Sequence, residues 1–194
     1  MLRIATEKDI PEILSIYAPY VENTTYSFEY EVPCLRSFTQ RFYDITAKYP
    51  WLVWEEDGRI LGYAYGSAAF TRAAYSWTAE PSIYLRPEAK GTGVAQMLYA
   101  GLEAILREQG YQVLYALITA ENIPSLRFHR KQGYQVCMEL ENCGYKFGRW
   151  VGLNWLEKRI SSVTIPNGFP IPFGSICQDV QRIRDILDNL SLSK

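Results

Sequence analysis

The 194-residue sequence holds a single histidine, His129, and four scattered cysteines, Cys34, Cys137, Cys143 and Cys177, with no C-x-x-C pair. Structural zinc sites draw on closely spaced Cys and His ligands, so this scarcity excludes them and no metal is expected. The thiols read as reduced and mostly buried, since free cysteine packs like a small hydrophobe. An excess of one charge is lacking too: 20 Lys and Arg stand against 21 Asp and Glu. Phosphate binding wants clustered basic residues, so no nucleic-acid partner is expected. No apolar run approaches the ~20 residues of a membrane span, and the N-terminal residues lack a signal peptide's apolar block. No membrane partner and a cytoplasmic location are the expectations. Internal repeats and low-complexity tracts are absent.

What is present is an apolar content of 48% in a chain long enough to bury a substantial core. The pattern predicts a strand at Leu2–Ala5 and a helix entered around Asp9 with Pro11 in its first turn. A second helical stretch runs over 35–49. Two strands, Trp51–Glu56 and Ile60–Ala68, flank Asp57-Gly58, a strong hairpin signal. The next strand, 78–86, contains Pro81, which cannot donate to a ladder, so a bulge or free edge is expected near Glu80. A helix over 93–109 is closed by Gly110, a strand spans 111–119, and Asn122 caps a short helix closed by Gly133. Two strands, 134–140 and 150–158, complete a domain over 1–160. The extension 161–194 has Pro166, Pro170 and Pro172, then an amphipathic helix capped by Ser175 with the stripe Ile176, Val180, Ile183, Leu187 and Leu190.

The loop Lys90-Gly91-Thr92-Gly93-Val94-Ala95 follows a strand and opens a helix. Glycines there let main-chain N–H groups approach an anion, and the helix dipole assists. Gln96 stands where a dinucleotide fingerprint wants its third glycine or alanine, and no Gly-Lys-Ser/Thr closes the loop as in a P-loop. An anion such as a pyrophosphate remains, as does a plain structural turn.

The loop resembles the Arg/Gln-x-x-Gly-x-Gly/Ala signature of the GNAT superfamily of N-acetyltransferases. Further segments are similar to its phosphinothricin and methionine sulfoximine acetyltransferase branch: Asn23-Thr24-Thr25, Ser27-Phe28, Arg72–Tyr75, Thr78-Ala79-Glu80, Ser82-Ile83-Tyr84, Ala120-Glu121-Asn122, His129 and Lys146–Trp150. The resemblance covers residues 1–158 and not 161–194. It departs at Lys90, where Arg or Gln is usual, and at Pro81, where His is usual.

The resemblance implies a mixed α/β (α+β) GNAT fold, a mostly antiparallel sheet splayed where CoA enters, with helices on both faces. It implies a homodimer and acetyl transfer from acetyl-CoA to the amine of a small amino-acid-like acceptor, by direct attack in a ternary complex. Glu80 would take the ammonium proton, given a pKa raised by burial. His129 occupies the position of the general acid near the CoA sulfur, where an imidazole can donate at neutral pH. A main-chain N–H within Ser82–Leu85 would serve the oxyanion, and Ile83, Tyr84 and Leu85 would pair with the pantetheine arm. Asn122 and Ser125 would hold that arm from the other side, and Lys90–Ala95 the pyrophosphate. Phe28, Arg72, Tyr75 and Arg149 are the acceptor candidates, Arg72 as a fork for a carboxylate or phosphinate. Lys146 and Arg149 belong either to the pocket or to a dimer contact. The competing readings are acetylation of a protein N-terminus, lysine or polyamine, a non-catalytic acyl-CoA sensor, and a nucleotide-binding module.

Overall fold

Strand β2 (Trp51–Glu56) shows why the sheet lies in the middle of the molecule. Trp51 and Val53 enter one apolar cluster and Leu52 enters another, all three being buried. A strand buried on both faces needs a layer on each side. In this computed structural model, which describes residues 1–177 and 180–191, a sheet of order β1-β2-β3-β4-β5-β7-β6 occupies that centre. The other strands are β1 (Leu2–Ile4), β3 (Arg59–Ser67), β4 (Thr78–Leu85), β5 (Val113–Thr119), β6 (Gln135–Lys146) and β7 (Arg149–Arg159). Only the β4–β5 pair is parallel. Helices α1 (Ile10–Asn23) and α2 (Leu35–Thr46) cover one face through Ile13, Tyr17, Val21, Phe38 and Phe42. Helices α3 (Val94–Gln109) and α4 (Ile123–Lys131) cover the other through Leu98, Leu102, Ile105 and Leu126. This is the expected mostly antiparallel sheet with helices on both faces. Among the described residues no helix is long and apolar enough to cross a membrane.

Local signals place several boundaries. Asp57 and Gly58 both adopt positive φ, 49° and 75°, as a two-residue hairpin turn demands. Gly110 closes α3 at φ 98°, and the Asn122 side chain accepts from Ser125 N at 3.2 Å. The β6–β7 turn repeats the hairpin device with Phe147 and Gly148 at φ 51° and 75°.

Pro81 produces no bulge in the β3–β4 ladder, whose register runs unbroken from Gly62↔Leu85 to Ser67↔Glu80. Arg86 N donates to Leu61 O, so even-numbered residues of β4 turn their main chain toward β3 and odd-numbered ones turn away. The missing N–H of Pro81 therefore faces away from β3 and costs that ladder nothing. On the other side, β4 pairs with β5 only at Thr78↔Val113 and Ala79↔Leu114, then parts from it. The free edge expected near Glu80 is this splayed side.

Four sequence expectations need correction. Helix α2 ends at Thr46 rather than near 49, its last turn tightening where Lys48 N donates to Ile45 O at 3.0 Å, and the carbonyls of Ala47 and Lys48 receive the N–H groups of Gly174 and Phe173. Strand β6 runs to Lys146, beyond the expected 140, through two register shifts that hid its polar outer half from a period-two pattern. Ser175 does not cap a helix: it lies inside α5 (Phe173–Ile176), preceded by Pro172, and α6 (Val180–Ser191) follows. The thiols are free but not mostly buried, Cys34, Cys137 and Cys143 being exposed. Of the predicted stripe, Ile176, Ile183 and Leu187 are buried with Leu98 and Leu102, while the side chains of Val180 and Leu190 lie outside the described set. Gly101 lets Leu187 approach, since a Cβ there would meet it at 3.2 Å and Leu2 at 2.7 Å.

Candidate active site

The parting of β4 from β5 opens a cleft with Pro81, Ser82, Ile83 and Tyr84 on one wall and Ala116, Leu117 and Ile118 on the other. Tyr20 and Tyr26 close it from the α1 side; Tyr99, Asn122, Ser125 and His129 line it from α3 and α4. Within the wall only alternate residues offer main-chain groups. Tyr84 is paired with Tyr63 in the ladder. Leu85 O accepts from the Tyr20 hydroxyl at 2.6 Å, and Leu85 N reaches the same oxygen at 3.4 Å. Of the expected Ile83–Leu85 stretch, Ile83 alone turns an uncommitted N–H and C=O toward the gap.

Glu80 stands beside Pro81 where the strands part. Its carboxyl makes no hydrogen bond or ion pair among the described residues, and burial alone pushes its pKa up from 4.5 to about 7. A carboxylate poised near neutrality can accept a proton from an ammonium.

His129 is buried on the opposite side. Its Nδ1 lies 2.8 Å from Ser125 O, an acceptor only, so Nδ1 carries the proton and donates it there. Nε2 then accepts from the Tyr99 hydroxyl at 2.6 Å. Burial pulls the imidazole pKa down to about 4, against the Ser125 bond that raises it. The residue sits in the cleft as expected, but it is neutral at pH 7 with both nitrogens engaged, which is not the freely donating imidazole the sequence suggested. Tyr99 and Tyr20, partners that the sequence reading missed, carry no sequence signal because they fall within ordinary helical apolar stripes.

The glycine loop is reached along a second groove, lined by Pro19, Tyr20, Leu85, Arg86 and Lys90, which shares Tyr20 with the cleft. Gly91 and Gly93 have φ of 80° and 94°, and a Cβ on either would meet open space. The first-turn N–H groups of α3 at Val94 and Ala95 have no intrahelical acceptors. Thr92 Oγ1 donates to Ala89 O at 2.8 Å, and the Lys90 ammonium lies 5.5 Å from the Tyr20 ring centre. The loop thus offers open backbone donors next to one cation.

The acceptor candidates are less convergent. Arg72 and Tyr75 are exposed on the loop before β4, and Arg72 makes no ion pair among the described residues. Tyr75 packs on Phe70 at 4.6 Å between centroids. Phe28 lies on Gly144, where any Cβ would strike its ring at 2.6 Å. Arg149 is engaged by the Glu121 carboxylate, which also accepts from Thr25 Oγ1 at 2.9 Å. Lys146 is buried, and its ammonium donates to Val21 O, Thr24 O and Ser27 O at 2.7, 2.9 and 2.7 Å. Three donors meet three acceptors, so this lysine pins the 24–30 loop to β6 and leaves no hydrogen for a substrate. Lys146 and Arg149 both anchor the loop that carries Phe28.

Comparison with known proteins accords with this geometry. Residues 2–155 match the acetyltransferase (GNAT) domain family. The phosphinothricin N-acetyltransferase of Alcaligenes faecalis is 35% identical over 172 residues, covering 85% of this chain and 86% of that protein. The L-methionine sulfoximine/L-methionine sulfone acetyltransferase of Pseudomonas paraeruginosa is 33% identical over 159 residues, with 80% and 92% covered. A crystal structure of a GNAT superfamily phosphinothricin acetyltransferase from Sinorhizobium meliloti, in complex with AcCoA, superposes with a TM-score of 0.84 at 32% identity, covering 89% of this chain and 96% of that one.

Proposed function

Because the chain belongs to the GNAT acetyltransferase family, we propose that it moves the acetyl group of acetyl-CoA to the primary amine of a small amino-acid-like acceptor of the phosphinothricin, methionine sulfoximine or methionine sulfone type. The observation that carries the chemistry is Glu80, an unpaired carboxyl with a pKa of about 7 at the mouth of the β4–β5 splay.

Acetyl-CoA supplies an activated thioester. The Gly91–Ala95 backbone receives its pyrophosphate beside Lys90, and Ile83 offers its free main chain to the extended arm and its N–H to the acyl oxygen. Asn122 and Ser125 hold the arm from α4. Glu80 removes a proton from the acceptor ammonium, the amine nitrogen bonds to the acyl carbon, the C–S bond breaks, and the second proton leaving that nitrogen passes to the sulfur, so that CoA departs as its thiol. Across the cleft, His129 and Tyr99 form a neutral hydrogen-bonded pair that lines the wall beside the arm. Arg72 meets the acceptor's carboxylate or phosphinate, with Tyr75 and Phe28 as apolar walls. Arg149 acts at one remove by holding Glu121 and Thr25.

A panel measuring CoA release from acetyl-CoA checks the acceptor class. Phosphinothricin, methionine sulfoximine and methionine sulfone should turn over with at least ~10-fold higher kcat/KM than spermidine, a lysine peptide or an N-terminal alanine peptide, a margin equal to about one charge-assisted bond. Preference for the polyamine or peptides would overturn the assignment.

We also place a homodimer contact on the β6–β7 hairpin. Tyr145, Phe147 and Trp150 are exposed there at 48%, 55% and 59%, on the edge strand of the sheet, the turn after it and its neighbour. Large aromatics clustered on an edge are the composition of an interface centre. Trp150→Glu should shift the mass in light scattering from two chains to one; a monomeric parent would contradict the contact.

A further inference from the structure

The segment after β7 makes one contact that core burial does not explain. Phe169 is 69% exposed, yet its ring stacks on Trp77 with centroids 5.2 Å apart and planes at 15°. The indole N–H of the same Trp77 donates to Gly168 O at 2.9 Å. Gly168 holds φ at 90°, a conformation that side-chain-bearing residues rarely adopt, as it presents that carbonyl. Two independent contacts therefore join one short segment to one side chain.

The segment is itself fixed. Ile171 N donates to Gln109 O, and the buried Gln109 amide donates to both Ile171 O and Lys48 O, each at 2.8 Å. Phe173 N then donates to Lys48 O at 3.0 Å. Pro166, Pro170 and Pro172 remove backbone freedom on either side of the stack. Residues 168–173 thus form a stiff strap tied to the ends of α2 and α3.

Trp77 is the last residue of the loop that carries Arg72 and Tyr75. That loop is bonded to itself: Tyr75 N to Arg72 O, Ser76 N to Ala73 O and Thr78 Oγ1 to Tyr75 O, at 2.9, 3.1 and 2.8 Å. Its end is held at the backbone by Gln112 N donating to Trp77 O at 2.8 Å. The strap adds a side-chain anchor to this backbone one. A hydrogen-bonded loop moves as a unit, so fixing Trp77 also fixes the direction of Arg72.

We propose that Trp77 and the strap residues Gly168 and Phe169 are positioning residues for the acceptor, setting its affinity from outside the acetyltransferase core by orienting the Arg72–Tyr75 loop. The proposal rests on the reading of that loop as the acceptor site. Among the described residues no hydrogen bond or ring contact joins Trp77, Gly168 or Phe169 to the cleft walls or the glycine loop, so acetyl-CoA binding should be independent of them.

The test is steady-state kinetics with L-methionine sulfone and acetyl-CoA on the full chain carrying Trp77→Phe, Phe169→Ala, Phe169→Trp or Arg72→Ala. Trp77→Phe and Phe169→Ala should each raise the acceptor KM by about 3- to 10-fold, the equivalent of one ordinary hydrogen bond. The acetyl-CoA KM should stay within about 2-fold, and Phe169→Trp, which keeps a stacking ring, should restore the parent acceptor KM. Parallel rises in both KM values, or no rise in either, overturn the proposal. Arg72→Ala separates the two levels. If it raises the acceptor KM while the strap variants do not, the strap inference fails and the acceptor site stands. If Arg72→Ala leaves that KM unchanged, the loop reading fails and the strap proposal falls with it.

Discussion

Glu80→Gln should lower kcat/KM by roughly 10²–10⁴-fold, the range for loss of a positioned general base, and should remove the levelling near pH 7, because the ammonium proton must then leave to solvent and the rate keeps rising toward the pKa of the acceptor amine. In the parent, burial holds the Glu80 carboxyl near a pKa of 7. Its kcat/KM should therefore climb about tenfold per unit as pH rises toward 7 and then level. The same shift has a stability consequence of opposite sign. The folded pKa lies above the unfolded value of 4.5, so the contribution to stability is full below pH 4.5 and is lost as pH rises through about 7. Above that, the fold carries a half-buried, unpaired carboxylate at a cost on the order of 1–3 kcal/mol. Gln avoids the cost while keeping the shape. Thermal melts at pH 8.5 should thus place Glu80→Gln above the parent, and at pH 4.5 level with it or below. A variant that loses activity by misfolding would melt lower at both values. Full kcat/KM retained across pH 6–9 would remove Glu80 from the base role.

Much of the fold is legible because its signals are local. Asp57-Gly58, Gly110, Gly133 and the Asn122–Ser125 cap each need only their neighbours to act, and they lie where the spacing puts them. The outer half of β6 was not legible, since Glu141, Asn142 and Gly144 put polar and small residues in succession and the register shift between Leu140 and Gly144 breaks the alternation there. Pro81 was legible as an anomaly but not in its effect. Whether a missing N–H costs a ladder depends on which way odd-numbered residues turn, and only the pairing with β3 decides that.

The candidate site divides in the same way. The glycine loop carries chemistry in its residue types, and the family resemblance nominated Glu80 and His129. Their protonation states could not be read, because desolvation is a property of the packed surroundings. That is why His129 lies near a pKa of 4 rather than near the 6.5 of a solvated imidazole. Lys146 and Arg149 show the converse. The resemblance put them at the pocket or a dimer contact, whereas the carbonyls of Val21, Thr24 and Ser27 take up all three lysine hydrogens and the Glu121 carboxylate engages the guanidinium. A charged side chain becomes an anchor when long-range contacts saturate its donors.

Phe173→Ala should cost about 3–5 kcal/mol, the usual range for emptying a buried phenyl site, and should lower the single thermal transition of the whole chain by roughly 6–20 °C. The sequence pattern separated residues 161–194 from the domain before them, and the relatives' family match ends at 155. The packing argues for one cooperative unit. Phe173, Ile176, Ile183 and Leu187 are buried in the same cluster as Leu52, Leu98, Leu102 and Leu114, which come from the sheet and α3. Gly101 leaves room where the two parts meet, because a Cβ there would press on Leu2 and Leu52 of the sheet and on Leu187 of the extension. The N–H of Phe173 and the Gln109 amide also meet at Lys48 O, so the cavity would open beside a buried polar junction. An independent appendage would instead melt separately, leaving the main transition where it is in the parent. Calorimetry distinguishes the two: a single shifted peak supports one unit, and an unshifted main peak refutes it. Phe173→Leu, which refills most of the volume, should recover more than half of the lost stability.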